Sequence, residues 1–451
     1  MKKIYYFIIG LPLLATGCKK LVEVGTPQNQ LTTDKVFADT TSAIAAMVNT
    51  YALFDKTIDP VYNKYMGIYT DELNFSSSNS ATLEFKQSIL TPTNSIISNF
   101  WSNSYFSIYS CNQIIEQLQQ APKIPSAMAN SLTAEAKFLR AYSNFYLVNT
   151  FGAIPLILTT NVDQTSRAAR SDTSAVYAQI VKDLKDAQSV LPENYTGNAR
   201  VRANKWAATA LLARAYLYQQ KWPEAELQAT AVINSGLYTP LNDPSTLFLA
   251  GSNESILQFW TQNGYITDAV SLITNSGVPT YPVSDDLLAA FEAGDYRKTD
   301  WLKSNTVTSG GITNTYYFPY KYYNNTTNAS SPEYLTALRI GEQYLIRAEA
   351  RAQQGNVAAA VLDINVIRNR AGLANLPASL SQKACIDAVM QEWRIEFCFE
   401  WGHRFLELRR TGRLNTTMSA YKSTWLPRAV LLPLPQKELT YDASLTQNPG
   451  Y

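Results

Sequence analysis

The 451-residue sequence predicts a mainly α-helical domain assembled from tetratricopeptide-like helix pairs. Three observations carry that prediction. Apolar residues recur at helical spacing through most of the chain. Segments 204–235 and 344–370 each read helix–turn–helix, with small residues twelve apart, Ala213 and Ala225 in one and Ala348 and Ala360 in the other. Such alanines let antiparallel helices approach closely, and pairs of this kind bury their faces on one another in a stack. Finally, a 46% hydrophobic content with only 16% charged residues supplies core enough for a chain of this length.

The chain opens with MKKIYYFIIGLPLLATGCKK, a basic start followed by an apolar run over 4–14. That run is shorter than the roughly 20 residues that span a bilayer, so it reads as a leader. The small residues before Cys18 resemble a bacterial lipobox, which predicts a signal peptide over 1–17, lipidation of Cys18 and a polar tether over 18–30. Removing 1–17 takes two lysines and no acid from 38 basic and 36 acidic residues, leaving a net charge of zero. A neutral chain argues against a nucleic-acid partner and makes acyl chains, not charge, the membrane anchor. Cys111, Cys385 and Cys398 remain, an odd number without a CxxC pair, which points away from a disulfide framework or a zinc site. Cys385 and Cys398 fall on one expected helix, about 20 Å apart at about 1.5 Å per residue, too far to bridge.

Helical patterning begins near Thr33 and Asp34 and carries an apolar stripe through Phe54. Asp71-Glu72-Leu73-Asn74-Phe75 then opens a Ser/Asn-rich stretch, 76–80, that reads as exposed loop. Further helices are expected over 100–118, over 132–149 with Ser131 as cap, and over 174–191. The pair in 204–235 breaks at Gln220-Lys221-Trp222-Pro223. Between 237 and 332 the pattern changes. Pro, Gly, Asn, Thr and Ser become frequent, with a short helix expected over 285–292 and a short strand over 255–260. A long irregular stretch inside a folded domain usually carries function. Helices resume at 333, and a proline-rich segment closes the chain.

The densest patterning runs from 384 to 412, ACIDAVMQEWRIEFCFEWGHRFLELRRTG. Ile386, Val389, Met390, Trp393 and Phe397 share one helical face, and the intervening charges of both signs read as a solvated or ion-paired face. Gly402 is expected to end this helix. The stretch resembles the C-terminal signature of the SusD/RagB family, the surface nutrient-binding lipoproteins of Bacteroidetes-type bacteria. TDKVFADTTSAIAAMVNTYALF, AEAKFLRAY…FGAIPL and the final LLPLP…LTQNPGY resemble further landmarks of that family, in the same order. Glu407 stands where an Asp is more usual. The resemblance implies helix pairs in a right-handed superhelix with a loop-rich ligand-binding face. It also implies a scaffold over 31–236 and 333–412, a loop-rich segment over 237–332 and a C-terminal wrap over 413–451. The implied role is a lipid-anchored outer-membrane protein that binds oligosaccharides or polysaccharides for a SusC-like TonB-dependent transporter, with no cofactor and no catalysis. A peptide or another small polymer is the alternative cargo. A tetratricopeptide scaffold for protein partners and a glycoside hydrolase are more distant.

The residues agree with a non-catalytic role. The only histidine, His403, lies in Glu400-x-x-His403, half of a carboxylate-bridged metal motif whose second half is missing. There is no GxSxG and no phosphate-cradling glycine loop. Glycoside hydrolysis needs only two carboxylates at about 5–9 Å, and Glu392, Glu396 and Glu400 are the acids to watch.

Sugar recognition needs flat aromatics beside Asn, Gln, Asp or Arg. Twenty-eight tyrosines and eight tryptophans provide the rings. The irregular segment offers Asn263, Tyr265, Tyr281, Trp301, Tyr316 and Tyr317. The family resemblance adds the loop after the first helices, with Asp71, Asn74 and Phe75. These nine residues are the expected ligand contacts.

Overall fold

The computed structural model of the chain describes residues 36–57, 61–197, 199–240, 243–327 and 329–451. The leader, Cys18, the tether, Thr33 and Asp34 lie outside the described residues.

The principal helices are α1 (Thr40–Thr57), α2 (Ser95–Leu118), α3 (Ser126–Phe151), α4 (Thr173–Val190), α5 (Lys205–Tyr218) and α6 (Trp222–Asn234). After a long excursion come α7 (Ile340–Gln353), α8 (Val357–Arg370), α9 (Gln382–Glu396) and α10 (His403–Arg410). From α1 to α10 each helix packs on the next, and α6 packs directly on α7 although the excursion separates them in sequence. Ala213 and Ala225 are fully buried between α5 and α6, as are Ala348 and Ala360 between α7 and α8. This is the close approach that the alanine spacing requires.

Side-chain caps explain four of these helix starts. Asn94 accepts from Ile96 and Ile97 N–H, Asp172 from Ala175, Asn204 from Ala207 and Ser381 from Ala384, each satisfying an orphan donor of the first turn. Helix α3 begins at Ser126, after Pro125, so the expected cap Ser131 sits inside it. Pro125 at the boundary and the good helix formers after it override Ser131. Helix α9 stops at Glu396, short of the expected Gly402. Cys398 therefore leaves the helix that holds Cys385, and both are buried free thiols, as is Cys111.

The excursion is more regular than its composition predicts. Strand β3 (Ser255–Phe259) pairs antiparallel with β6 (Leu335–Arg339), so the segment after 333 is strand before it is helix. Strands β4 (Leu302–Ser309) and β5 (Ile312–Pro319) form a hairpin closed by Gly310-Gly311. The two-residue strands β1 (Ile154–Pro155) and β2 (Arg170–Ser171) pair beside the end of α3. All five β3 residues are buried, and Phe259 stacks on Phe54 of α1 at 5.4 Å.

The centre of the core is Trp401. Its ring meets Tyr142 and Tyr146 at 5.6 Å and Phe259 at 6.0 Å, and its Nε1 donates to Thr336 O at 2.6 Å. A tight turn places it there, with positive φ at Phe399, Trp401 and Gly402. Only glycine fits the third position, because a Cβ on Gly402 would lie 2.7 Å from Tyr62 and 3.0 Å from Met66.

Candidate functional site

The charged run of α9 turns inward. Glu392, Glu396 and Glu400 are at most 2% exposed, so the solvated-face reading fails and the ion-paired one holds. Arg297 donates to Glu392 at 2.9 Å and Glu396 at 3.1 Å, and is clamped by Asp295. Arg339 bonds both Glu400 oxygens at 3.0 Å, Glu254 at 3.1 Å and also Glu396. Arg370 joins Glu254 at 2.6 Å and also Glu396, Lys321 joins Glu400 at 2.6 Å, and Arg368 joins Glu392 at 3.0 Å. Five buried acids, Glu254, Asp295, Glu392, Glu396 and Glu400, thus face five buried bases. Burial pushes the Glu396 carboxyl up, but Arg370, Arg339 and Arg297 outweigh it and hold the group well below the usual carboxylate range. An acid or base for glycoside chemistry must reach substrate and exchange a proton. These carboxylates do neither, since every one is committed to a guanidinium or ammonium.

His403 is equally enclosed. It lies against Phe397 at 4.6 Å and Trp393 at 5.6 Å, and burial, with Arg214 next, keeps it neutral. Glu400 of the Glu-x-x-His motif points at Arg339 and Lys321 instead. Among the described residues no three His, Cys, Asp or Glu side chains converge as metal ligands.

The loop after the first helices has a firm base. Asp71, 3% exposed, takes Arg404 at 2.7 Å and Arg394 at 3.0 Å, which overcome burial and hold its carboxyl low. From there the chain runs antiparallel to residues 279–284. Asn74 N donates to Pro282 O at 2.7 Å, Ser76 N to Thr280 O at 3.0 Å, and Ser284 N to Glu72 O at 3.0 Å. Val283 N reaches Tyr317 O at 2.8 Å, tying in the β4–β5 hairpin. Phe75 packs on Tyr281 at 5.4 Å, and the Lys64 ammonium lies 5.3 Å from the Tyr281 ring and 5.2 Å from Tyr65. Burial, then Tyr65, raises the Tyr281 hydroxyl to about 12, so it stays a neutral donor. Tyr65, Asn74, Tyr281, Tyr316 and Tyr317 are half-buried, and the rim 76–80 is exposed.

This fold therefore brings Asp71, Asn74, Phe75 and Tyr281 together and ties in Tyr317 through its backbone carbonyl, while Tyr316, the preceding residue of β5, faces the opposite side of the hairpin. Asp71 and Phe75 lie beneath the surface as its support, while Asn74 and the tyrosines keep accessible faces. Tyr265 and Trp301 do not belong to it. Tyr265 is 1% exposed and packs edge-on against Tyr322 at 4.8 Å. Trp301 is fully buried, donates to Pro244 O and covers the Lys321 ammonium at 3.9 Å. Both rings serve the core. Asn263 is exposed on the turn 261–264, which Gly264 N closes onto Thr261 O. Sequence reasoning passed over Tyr65 and Lys64, whose signal was their place immediately before the 66–75 loop.

Two family models match the chain, one described as "Starch-binding associating with outer membrane" over residues 23–217, the other as "SusD family" over 290–451. SusD-like protein P2 of Formosa agariphila is 26% identical, with both chains covered in full. Among solved structures, a laminarin-binding SusD-like protein is 26% identical with a TM-score of 0.76, covering 92% of this chain and 100% of that one. A SusD-like protein of Bacteroides fragilis superposes with a TM-score of 0.80 at 20% identity, covering 95% and 100%. Matched at both ends of the sequence and across the whole fold, this chain belongs to the SusD/RagB family.

Proposed function

We propose that this protein is a non-catalytic glycan-capture protein of the outer-membrane surface, anchored through lipidated Cys18. It presents oligosaccharide or polysaccharide to a SusC-like TonB-dependent transporter. The helix pairs over 31–236 and 333–412 act as scaffold, the loops over 237–332 as the ligand face, and 413–451 as a wrap that ties the ends together.

One observation carries the reading. Asn74 and Tyr281 present an amide and a ring on paired backbone segments, and the Tyr317 carbonyl joins the β4–β5 hairpin to the same ladder. Tyrosine faces stack on the C–H faces of a sugar, and the amide and hydroxyls meet its hydroxyls. The laminarin-binding relative and the starch-binding family description support a glycan as cargo. Among the described residues no helix is long and apolar enough to cross a membrane.

The test is a glycan array probed with protein lacking residues 1–18. Binding to at least one polysaccharide, lost in Tyr281→Ala while the melting temperature holds, is the expected result. Silence on glycans with saturable binding to peptides would transfer the site to the alternative cargo. Turnover of a glycan would refute the capture reading.

A further inference from the structure

A second concave surface shares no residue with the site above. It is a groove of about 370 Å³ between α2, the loop after β1 and the C-terminal helix Gln436–Tyr441. That places it at the small end of the range for ligand pockets, room for one or two sugar rings.

Three aromatics shape it. Trp101 is wedged against Phe151 at 4.9 Å and Tyr105 at 4.9 Å, and Tyr105 is fixed by donating to Pro155 O at 2.8 Å. Tyr441 stands at the mouth, 75% exposed, one of the most exposed large side chains of the molecule. The polar groups are acceptors. Glu438 takes a hydrogen bond from Trp101, and Asp442 spends one oxygen on Ser444 N at 2.8 Å, leaving the other for a ligand. No cation lines the groove. The nearest guanidinium, Arg170, is consumed by the carbonyls of Phe151, Ala153 and Thr446 and by Asn448, holding the wall together.

The two carboxylates lining the groove disfavour anionic ligands. Lys437, 5.7 Å from the Tyr441 ring, places a positive charge at the rim and disfavours a cationic one. A neutral pyranose satisfies both conditions, since its hydroxyls donate to carboxylates and its apolar face stacks on tyrosine. We propose that this groove is a second saccharide site, engaging a neutral sugar unit between Tyr441 and the Glu438–Asp442 carboxylates, above the buried Trp101 that forms its floor. The proposal extends the glycan-capture reading, giving the protein two separate points of hold on one polymer. Two weak holds joined by the polymer bind more tightly than either alone.

The test uses full-length mature protein labelled with 5-fluorotryptophan, with the Trp101 signal assigned by Trp101→Phe. Glucose, galactose, mannose, xylose and N-acetylglucosamine are titrated separately. A saturable shift of the Trp101 signal with at least one sugar is expected, weakened about tenfold in Tyr441→Ala by loss of the stacking face. The shift should also fall in Asp442→Asn, a variant that keeps the Ser444 bond, and should persist in Tyr281→Ala. A Trp101 signal unmoved by every sugar, or a shift unchanged in Tyr441→Ala, overturns the proposal. If polysaccharide still binds through Tyr281 in that case, only the groove falls. If the Trp101 shift stands while no polysaccharide binds, the first surface falls and the groove remains.

Discussion

Replacing Glu396 by glutamine tests the buried charge network most directly. The carboxylate meets Arg297, Arg339 and Arg370, and its removal leaves five buried bases against four acids. Glutamine preserves the shape, so the change is electrostatic and carries no cavity. Breaking one member of a buried pair costs about 3–5 kcal/mol, because the partner charge stays behind without compensation. Spread over the roughly 2 cal/mol/K per residue of melting entropy, that is about 3–6 °C for a cooperative unit of this size. Adding Arg370→Gln restores a four-to-four balance, so the double variant should recover about 1–3 kcal/mol relative to the sum of the singles. Thermal and urea unfolding of the four proteins at neutral pH supply the cycle. A Glu396→Gln melting point within a degree of the parent, or strictly additive losses, would refute the network as a coupled unit.

Other outcomes follow from the same geometry. Glu72 is 2% exposed, and burial, with Asp71 beside it, raises its carboxyl to about 8. Its folded pKa lies above the unfolded one, so the parent loses stability as pH rises from about 4.5 to about 8. The advantage of Glu72→Gln should therefore grow from pH 5 to pH 8 in urea titrations, and a flat difference would contradict the assignment. Gly402→Ala should cost about 2–4 kcal/mol, overpacking against Tyr62 and Met66 on a left-handed backbone. Tyr265→Ala should cost about 3–5 kcal/mol as a core truncation, so a binding defect there reports unfolding. Tyr281→Ala, on half-buried tyrosine, should lose ligand at nearly unchanged stability, checked by melting and glycan binding in parallel.

The helical stack was legible because its signals are local. Alanines twelve residues apart and apolar stripes at helical spacing depend only on neighbouring positions, and they located α5 through α8 within a few residues. The charge run of α9 misled because its partners are remote. Glu396 is answered by Arg297, Arg339 and Arg370, 99, 57 and 26 positions away, and periodicity within one helix says nothing of them. Trp301 and Tyr265 misled differently. Both stand in polar, irregular sequence, but Trp301 caps a buried ammonium and Tyr265 fills the space beside Tyr322. The β4–β5 hairpin did have a readable cue, since Gly310-Gly311 between runs of threonine and aromatic residues is a two-residue hairpin loop. The meeting of Asn74 with Pro282 and of Val283 with Tyr317 joins residues more than thirty positions apart, and no local rule announces it.

The direct seating of α6 on α7 has a consequence for how such a protein acquires new cargo. The excursion between them leaves and returns at one neck, so its contents could be rewritten while the rack stays whole. Yet the excursion also carries Glu254, Asp295, Arg297, Lys321 and Arg339, two acids and three bases that dock into the helix charges. The rack offers Glu392, Glu396 and Glu400 with Arg368 and Arg370, three acids and two bases. One side carries a surplus positive charge and the other a surplus negative one, like a plug and its socket. A transplanted ligand face must bring those five residues in register, or leave unmatched charge at the heart of its new host.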